Sequence, residues 1–255
     1  MTELCETPNS CIVVVDPQRD FEQHGSLCVS DDANTIYTLI NALLALFEVQ
    51  VTSQDYHGSN HSSFVDIEKG EVAFVTVKDV DLPDGTVFKQ RCWPMHCVQG
   101  TNGVRLSESF SFDRTKMRVV RKGLQDGIES YSAVGDSTEE KKFERTALID
   151  HLRLNKISHV YVCGLAFDYC VGSTALDLAK AGFNVYVLTD CTRYVFQALP
   201  DDITRRVFST PALEMYENLV AQNVNFITSS EIPTDITSVQ IGYQLLPLAG
   251  DLEDI

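Results

Sequence analysis

Short apolar runs that stop on a polar residue, separated by stretches of helical periodicity, constrain this chain more than any other feature. "CIVVVD" (11–16) is almost wholly apolar, as a strand buried on both faces must be. "ANTIYTLINALLALF" (33–47) spaces its apolar residues as a helix does, with "SDD" before it as a capping signal. "EVQVTSQD" (48–55) reads as the next strand and "RVVRKG" (118–123) as another, closed by glycine. "EEKKFERTALIDHLRLN" (139–155) has the pattern of an amphipathic helix. "HVYVCG" (159–164) is a strand, "YCVGSTALDLAKAG" (169–182) a helix ending in glycine, and "NVYVLTD" (184–190) a strand. "TPALEMYENLVAQN" (210–223) and "VNFIT" (224–228) complete the series as helix and strand. Such alternation predicts an α/β fold: three α/β/α layers around a mostly parallel, roughly six-stranded, doubly wound sheet.

The chain has 255 residues, 44% of them hydrophobic, and one domain of this class can reach that length, so 1–255 is read as a single domain. The stretch from about 56 to 117 breaks the rhythm with glycines, prolines, serines and the only tryptophan, and loops this long are commonly functional. The tail from about 229 to 255 is weakly patterned and ends acidic; it either frays or packs on a neighbour, which leaves a homo-oligomer open.

A formal net charge of -16 repels phosphate backbones and argues against nucleic-acid binding. No apolar stretch approaches the roughly 20 residues of a membrane helix. "MTELCETPNS" has no basic segment followed by an apolar run, so no secretory signal is expected. The eight cysteines form no CxxC pair and read as reduced thiols in a cytoplasmic setting.

In an open parallel sheet, ligands bind beyond the carboxyl ends of the strands, near the switch in strand order. The polar residues at those ends are Asp16, then Asp55 and His57 from "SQDYH", then Lys122 from "RVVRK", then Cys170 from "GLAFDYC". Core packing does not explain why two carboxylates, a lysine and a cysteine share one edge. Cys170 falls at a helix start, where unpaired N–H groups and the helix dipole favour a thiolate, and a nearby ammonium would favour it further. The other seven cysteines read as small core residues. His159 begins its strand and belongs to the opposite edge; His151 is expected in solvent on its helix; His24 reads as a loop residue. With the histidines otherwise engaged, Asp16 is the carboxylate placed to move the thiol proton.

Asp55 and His57 are two apart and so point the same way along a strand, and "WPMHC" supplies His96. One carboxylate with two imidazoles suits a divalent metal, zinc, manganese or iron. His61 is a fourth candidate, with loop capping through "HSSF" as its competing role.

Taken together, "VVDPQRDF", "SQDYH", "RCWPMHCVQGTNG", "VRKG", "ESYSA" and "GLAFDYCV" resemble the nicotinamidases, the nicotinamide-hydrolysing branch of the isochorismatase-like cysteine hydrolases, over about residues 10–230. The resemblance implies a catalytic triad of Asp16, Lys122 and Cys170 and a thioester route from nicotinamide to nicotinic acid and ammonia, in NAD salvage. It implies one divalent ion, zinc first, held by Asp55, His57 and His96, with His61 a ligand only in some relatives. It places Phe21, Trp93, Tyr131 and Leu165 around the substrate. It also implies an oxyanion hole from the N–H groups of Ala166 and Cys170, with a cis peptide before Ala166. Gly58 stands where proline is frequent, and Phe167 where threonine is common; neither removes a catalytic group. Two rivals remain at this stage: a metal-hydroxide amidase in which Cys170 is incidental, and a catalytically silent binding protein on the same fold.

Overall fold

The computed structural model describes residues 9–136, 145–196 and 210–232. Its strands are β1 (Ser10–Val15), β2 (Val49–Asp55), β3 (Val77–Asp81), β4 (Val87–Arg91), β5 (Met117–Lys122), β6 (His159–Leu165), β7 (Asn184–Arg193) and β8 (Asn225–Ile227). Its helices are α1 (Ile36–Leu44), α2 (Leu148–Leu154), α3 (Gly172–Lys180) and α4 (Thr210–Ala221). Six strands form one sheet in the order β5-β2-β1-β6-β7-β8, and every neighbouring pair in it is parallel. The sheet is therefore doubly wound, with the reversal in strand order between β1 and β6.

Period-two alternation divides the core. Ile12 and Val14 of β1, with Tyr161 and Leu165 of β6, face α1 through Ile36, Tyr37, Ile40, Leu43 and Leu44. Cys11, Val13 and Val15 face the other way, onto Leu148 and Leu152 of α2, Ala175 and Leu178 of α3 and Leu219 of α4. This is the three-layer arrangement expected of buried parallel strands.

Several boundaries differ from the sequence reading. α1 is shorter than 33–47: a 3-10 turn, Ala33–Thr35, precedes it, and Gln50 Nε2 donates to the carbonyls of Leu44 (2.7 Å) and Phe47 (2.9 Å), which closes the helix before β2. The helix expected over 139–155 begins at Leu148; residues 137–144 lie outside the described part. Thr146 stops it from starting earlier, because its hydroxyl donates to Ala133 O (2.6 Å) and accepts the Leu148 N–H (3.1 Å). His151, expected in solvent, is buried on α2 beside the Arg118 charge. The long stretch 56–117 holds an antiparallel hairpin, β3 with β4, that the sequence reading treated as loop. Of the expected tail, residues 229–232 are described and 233–255 are not. Among the described residues, no helix is long and apolar enough to cross a membrane.

Glycine is required where β1 and β6 meet. Gly164 pairs with Val15 at a φ of 109°, and a Cβ there would lie 2.1 Å from Val15 O. That close approach brings the ends of β1 and β6 together at the switch point.

Candidate active site

The parallel register carries the polar strand ends to one crevice. Asp55 and Lys122 are direct partners across β2 and β5, and the Lys122 ammonium sits 2.5 Å from Asp55 Oδ1. The same ammonium lies 2.9 Å from Asp16 Oδ2 and 3.4 Å from Cys170 Sγ. Asp16 follows β1 at a φ of 47°, a left-handed conformation that Asp tolerates better than most residues. Ser53 fixes it twice, accepting the Asp16 N–H (3.1 Å) and donating to Asp16 Oδ1 (2.7 Å). Asp16, Asp55 and Cys170 each bring an oxygen or sulfur within 4.8 Å of the other two. Gln18 holds Asp55 from behind: its amide donates to Asp55 O and accepts the Asp55 N–H, both at 2.8 Å.

Electrostatics assign each group a protonation state. Burial pushes Asp16 up to about 6, against the pull of Lys122. Burial also raises Asp55, but Lys122, His57 and His96 outweigh it and hold that carboxyl well below its usual range. Burial works against the Lys122 charge, yet Asp16 and Asp55 keep the group an ammonium. Cys170 departs from the sequence reading. It occupies a π turn, Phe167–Val171, ahead of α3, and burial, seconded by Asp16, Asp55 and Glu129, raises its thiol despite Lys122. The resting sulfur is a thiol, so a nearby base has to take its proton.

Beside Asp16, Lys122 and Cys170 lies a nest of imidazoles. His57 Nδ1 donates to Gly123 O (3.0 Å) and His96 Nδ1 to Pro94 O (2.8 Å), so the Nε2 atom of each is aimed inward. These Nε2 atoms stand 3.5 and 3.8 Å from Asp55 Oδ2. Gly123, at a φ of 67°, is needed here, since a Cβ would fall 2.4 Å from the His57 ring. Buried His57 Nε2 has no hydrogen-bond partner. Burial disfavours charge on His57 but Asp55 prevails and raises it to about 9; burial, then His57, lowers His96 to about 4. An orphaned inward nitrogen, a second imidazole and a shared carboxylate make a donor set that fits a divalent cation. His61 lies against His57 with the rings tilted and their centroids 4.0 Å apart; its Nδ1 is occupied by the Ser63 hydroxyl (2.7 Å) and N–H (3.3 Å), while its Nε2, like that of His57, is buried with no hydrogen-bond partner.

A cleft opens above these groups, lined by Phe21, Trp93, Tyr131, Leu165, Ala166 and Cys170, and also by Leu27, Tyr169, Val195 and Glu129. Trp93 and Gln90 both donate to the Tyr131 hydroxyl, at 3.0 and 3.1 Å, which ties the β3–β4 hairpin to the cleft wall. The Leu165–Ala166 peptide is cis. Phe167 packs away from the cleft, against Tyr194 and Phe226. Glu129, 2% exposed and close to both His57 and His61, was not singled out from the sequence, although "ESYSA" contains it. Its only signal was an acid two residues before Tyr131.

An isochorismatase domain model matches residues 10–203. The chain belongs to the isochorismatase family. Within that family its similarity is to nicotinamidases. It is 37% identical to a nicotinamidase of Acinetobacter baylyi over 187 residues, 73% of this chain and 82% of the relative. The structure of an Acinetobacter baumanii nicotinamidase superimposes with a TM-score of 0.74 at 33% identity, covering 90% of this chain and all of that one. A Pyrococcus horikoshii pyrazinamidase solved in complex with zinc gives 0.63 at 28% identity, covering 87% of this chain and 99% of that one.

Proposed function

We propose that this chain is a cysteine amidohydrolase that converts nicotinamide to nicotinic acid and ammonia, a step of pyridine nucleotide salvage. One arrangement supports the reading above the rest: an ammonium 2.9 Å from Asp16 and 3.4 Å from Cys170, on the floor of an aromatic cleft.

Cys170 Sγ attacks the carboxamide carbon while Asp16 takes the thiol proton. An Asp16 carboxyl raised to about 6 is ionised at neutral pH yet basic enough for that transfer. Lys122 stays charged, holds Asp16 and Asp55 in place, and stabilises the sulfur as its proton leaves. The N–H groups of Ala166 and Cys170 receive the oxyanion, an effect of about 3 kcal/mol per donor in comparable sites. The tetrahedral intermediate collapses as the C–N bond breaks, and Asp16 returns the proton to the departing ammonia. Asp16 then deprotonates a water that attacks the thioester, the C–S bond breaks, and nicotinic acid leaves with Cys170 protonated again. Phe21, Trp93, Tyr131 and Leu165 clasp the flat ring. A divalent cation on Asp55, His57 and His96, zinc first among the candidates, supplies a Lewis-acid anchor for the pyridine nitrogen when bound. The described cysteines are free thiols, in keeping with a cytoplasmic enzyme.

The test is ammonia release from nicotinamide by the purified protein, beside benzamide. Rapid release from nicotinamide and very slow release from benzamide, which lacks the ring nitrogen, is the expected result. No release from nicotinamide overturns the reading, and equal rates on the two amides overturn the role given to the ring nitrogen.

A further inference from the structure

Asp168 sits two residues before Cys170 and takes no part in the chemistry above, yet it is buried at 3% exposure. A buried carboxylate needs partners. Its partners lie 27 and 28 residues away: Oδ1 accepts the Val195 N–H at 3.0 Å and Oδ2 the Phe196 N–H at 2.9 Å. Burial raises the Asp168 carboxyl, and those two N–H groups pull it back.

The segment it holds is a wall of the substrate cleft. β7 runs on to Arg193, which pairs with Leu165 past a register shift between Val162 and Gly164. The chain then turns over the nucleophile turn. Tyr194 points inward onto Phe167, 5.1 Å between ring centroids. Val195 lines the cleft. Phe196 joins the aromatic rim, with Trp93 at 6.4 Å and Tyr169 at 6.2 Å, under the Arg91 guanidinium at 5.3 Å.

We propose that Asp168 is a positioning residue that clamps the 194–196 wall to the turn carrying Cys170, and so sets how tightly the cleft holds its ring and which ring substituents it admits. The two-oxygen grip explains why an acid is needed: asparagine offers one acceptor, and its amide N–H groups would confront the second backbone N–H. Loosening that grip leaves Asp16 and Lys122 where they are, held from β1 and β5, while the turn under Cys170 stays anchored by the Val171 N–H on Ala166 O (3.0 Å) and by α3 that follows it. Binding should therefore suffer more than chemistry.

The inference rests on the proposed amide hydrolysis for its kinetic readout, so a second readout independent of substrate accompanies it. In Asp168→Asn, KM for nicotinamide should rise about tenfold while kcat stays within about threefold, and 5-methylnicotinamide should gain on nicotinamide in relative kcat/KM. Deuterium exchange at the Val195 and Phe196 amides should accelerate by at least about tenfold, with β1 and β6 amides unchanged. Phe196→Ala leaves Asp168 and the core in place and should raise KM and relax ring selection in the same direction, which keeps the test valid if Asp168→Asn fails to fold. Unchanged KM and unchanged exchange overturn the clamp. A fall in kcat at constant KM also overturns it, since Asp168 would then act on the nucleophile turn. Wild-type protein that ignores nicotinamide would sink the proposed function, while the exchange measurement would still decide the clamp.

Discussion

The floor and the rim of the cleft are built by different means. The floor is made of strand ends in register: Asp16, Asp55 and Lys122 are delivered by β1, β2 and β5, and all three are at most 3% exposed. The rim is made of side chains from short turns and irregular segments, Phe21, Trp93, Tyr131, Tyr169 and Val195, with the β3–β4 hairpin tied to it through Gln90 and the Tyr131 hydroxyl. A sheet with six strands in fixed register can place a proton carrier to a fraction of an ångström. Loops shape a pocket to a ligand and are freer to vary. Reaction chemistry should therefore depend on floor residues through kcat, and recognition on rim residues through KM.

The largest effect expected is on the floor. Asp16→Asn should lower kcat by about 10²–10⁴-fold with KM little changed, because only the proton carrier is lost. In the wild type, kcat/KM should fall as pH drops through about 6, since Asp16, raised from an ordinary 3.8, becomes protonated there and can no longer accept the thiol proton. A profile flat down to pH 4.5 would remove Asp16 from the role of base. The next effect sharpens the border between floor and rim. His96→Ala should lose bound divalent metal by elemental analysis, from about one equivalent to well below it, while iodoacetamide still labels Cys170. Full metal content in that variant would reject the ligand set.

Rim effects should be smaller and fall on KM. Trp93→Ala loses ring contacts of about 0.5–1.5 kcal/mol beyond burial, so KM should rise by up to roughly tenfold at near-constant kcat. A kcat loss comparable with that of Asp16→Asn would erase the distinction between floor and rim. The smallest change is expected from Arg91→Ala, which removes a partly exposed cation from the Phe196 ring and should shift KM by about two- to threefold.

The floor was legible in the sequence for the same reason that it is rigid. Apolar runs mark buried strands, and the residues at or just past their ends mark the carboxyl edge, so Asp16, Asp55, Lys122 and Cys170 could be assigned to one crevice from their place along the strands. The rim had no such rule, and its residues came from motif resemblance. The hairpin was readable in principle: Val77, Val80, Val87 and Phe88 flank "LPDG", a turn that Leu82 and Thr86 close with a 2.8 Å hydrogen bond. Its two strands are only five residues each and largely exposed, so no apolar run marks them. The state of the Cys170 thiol was beyond the sequence, because it depends on how completely Phe167–Val171 is buried and on three acids that only the fold brings near. His151 was misjudged because helical periodicity was extended through residues that do not all belong to α2.

The central claim is that Cys170 is the nucleophile and that a metal on Asp55, His57 and His96 serves binding. It is tested most directly by ammonia release from nicotinamide in metal-loaded Cys170→Ala beside wild type. Turnover should fall by more than about 10⁴-fold with metal content unchanged. Turnover by Cys170→Ala near the wild-type rate would contradict it and leave a metal-bound hydroxide as the attacking group.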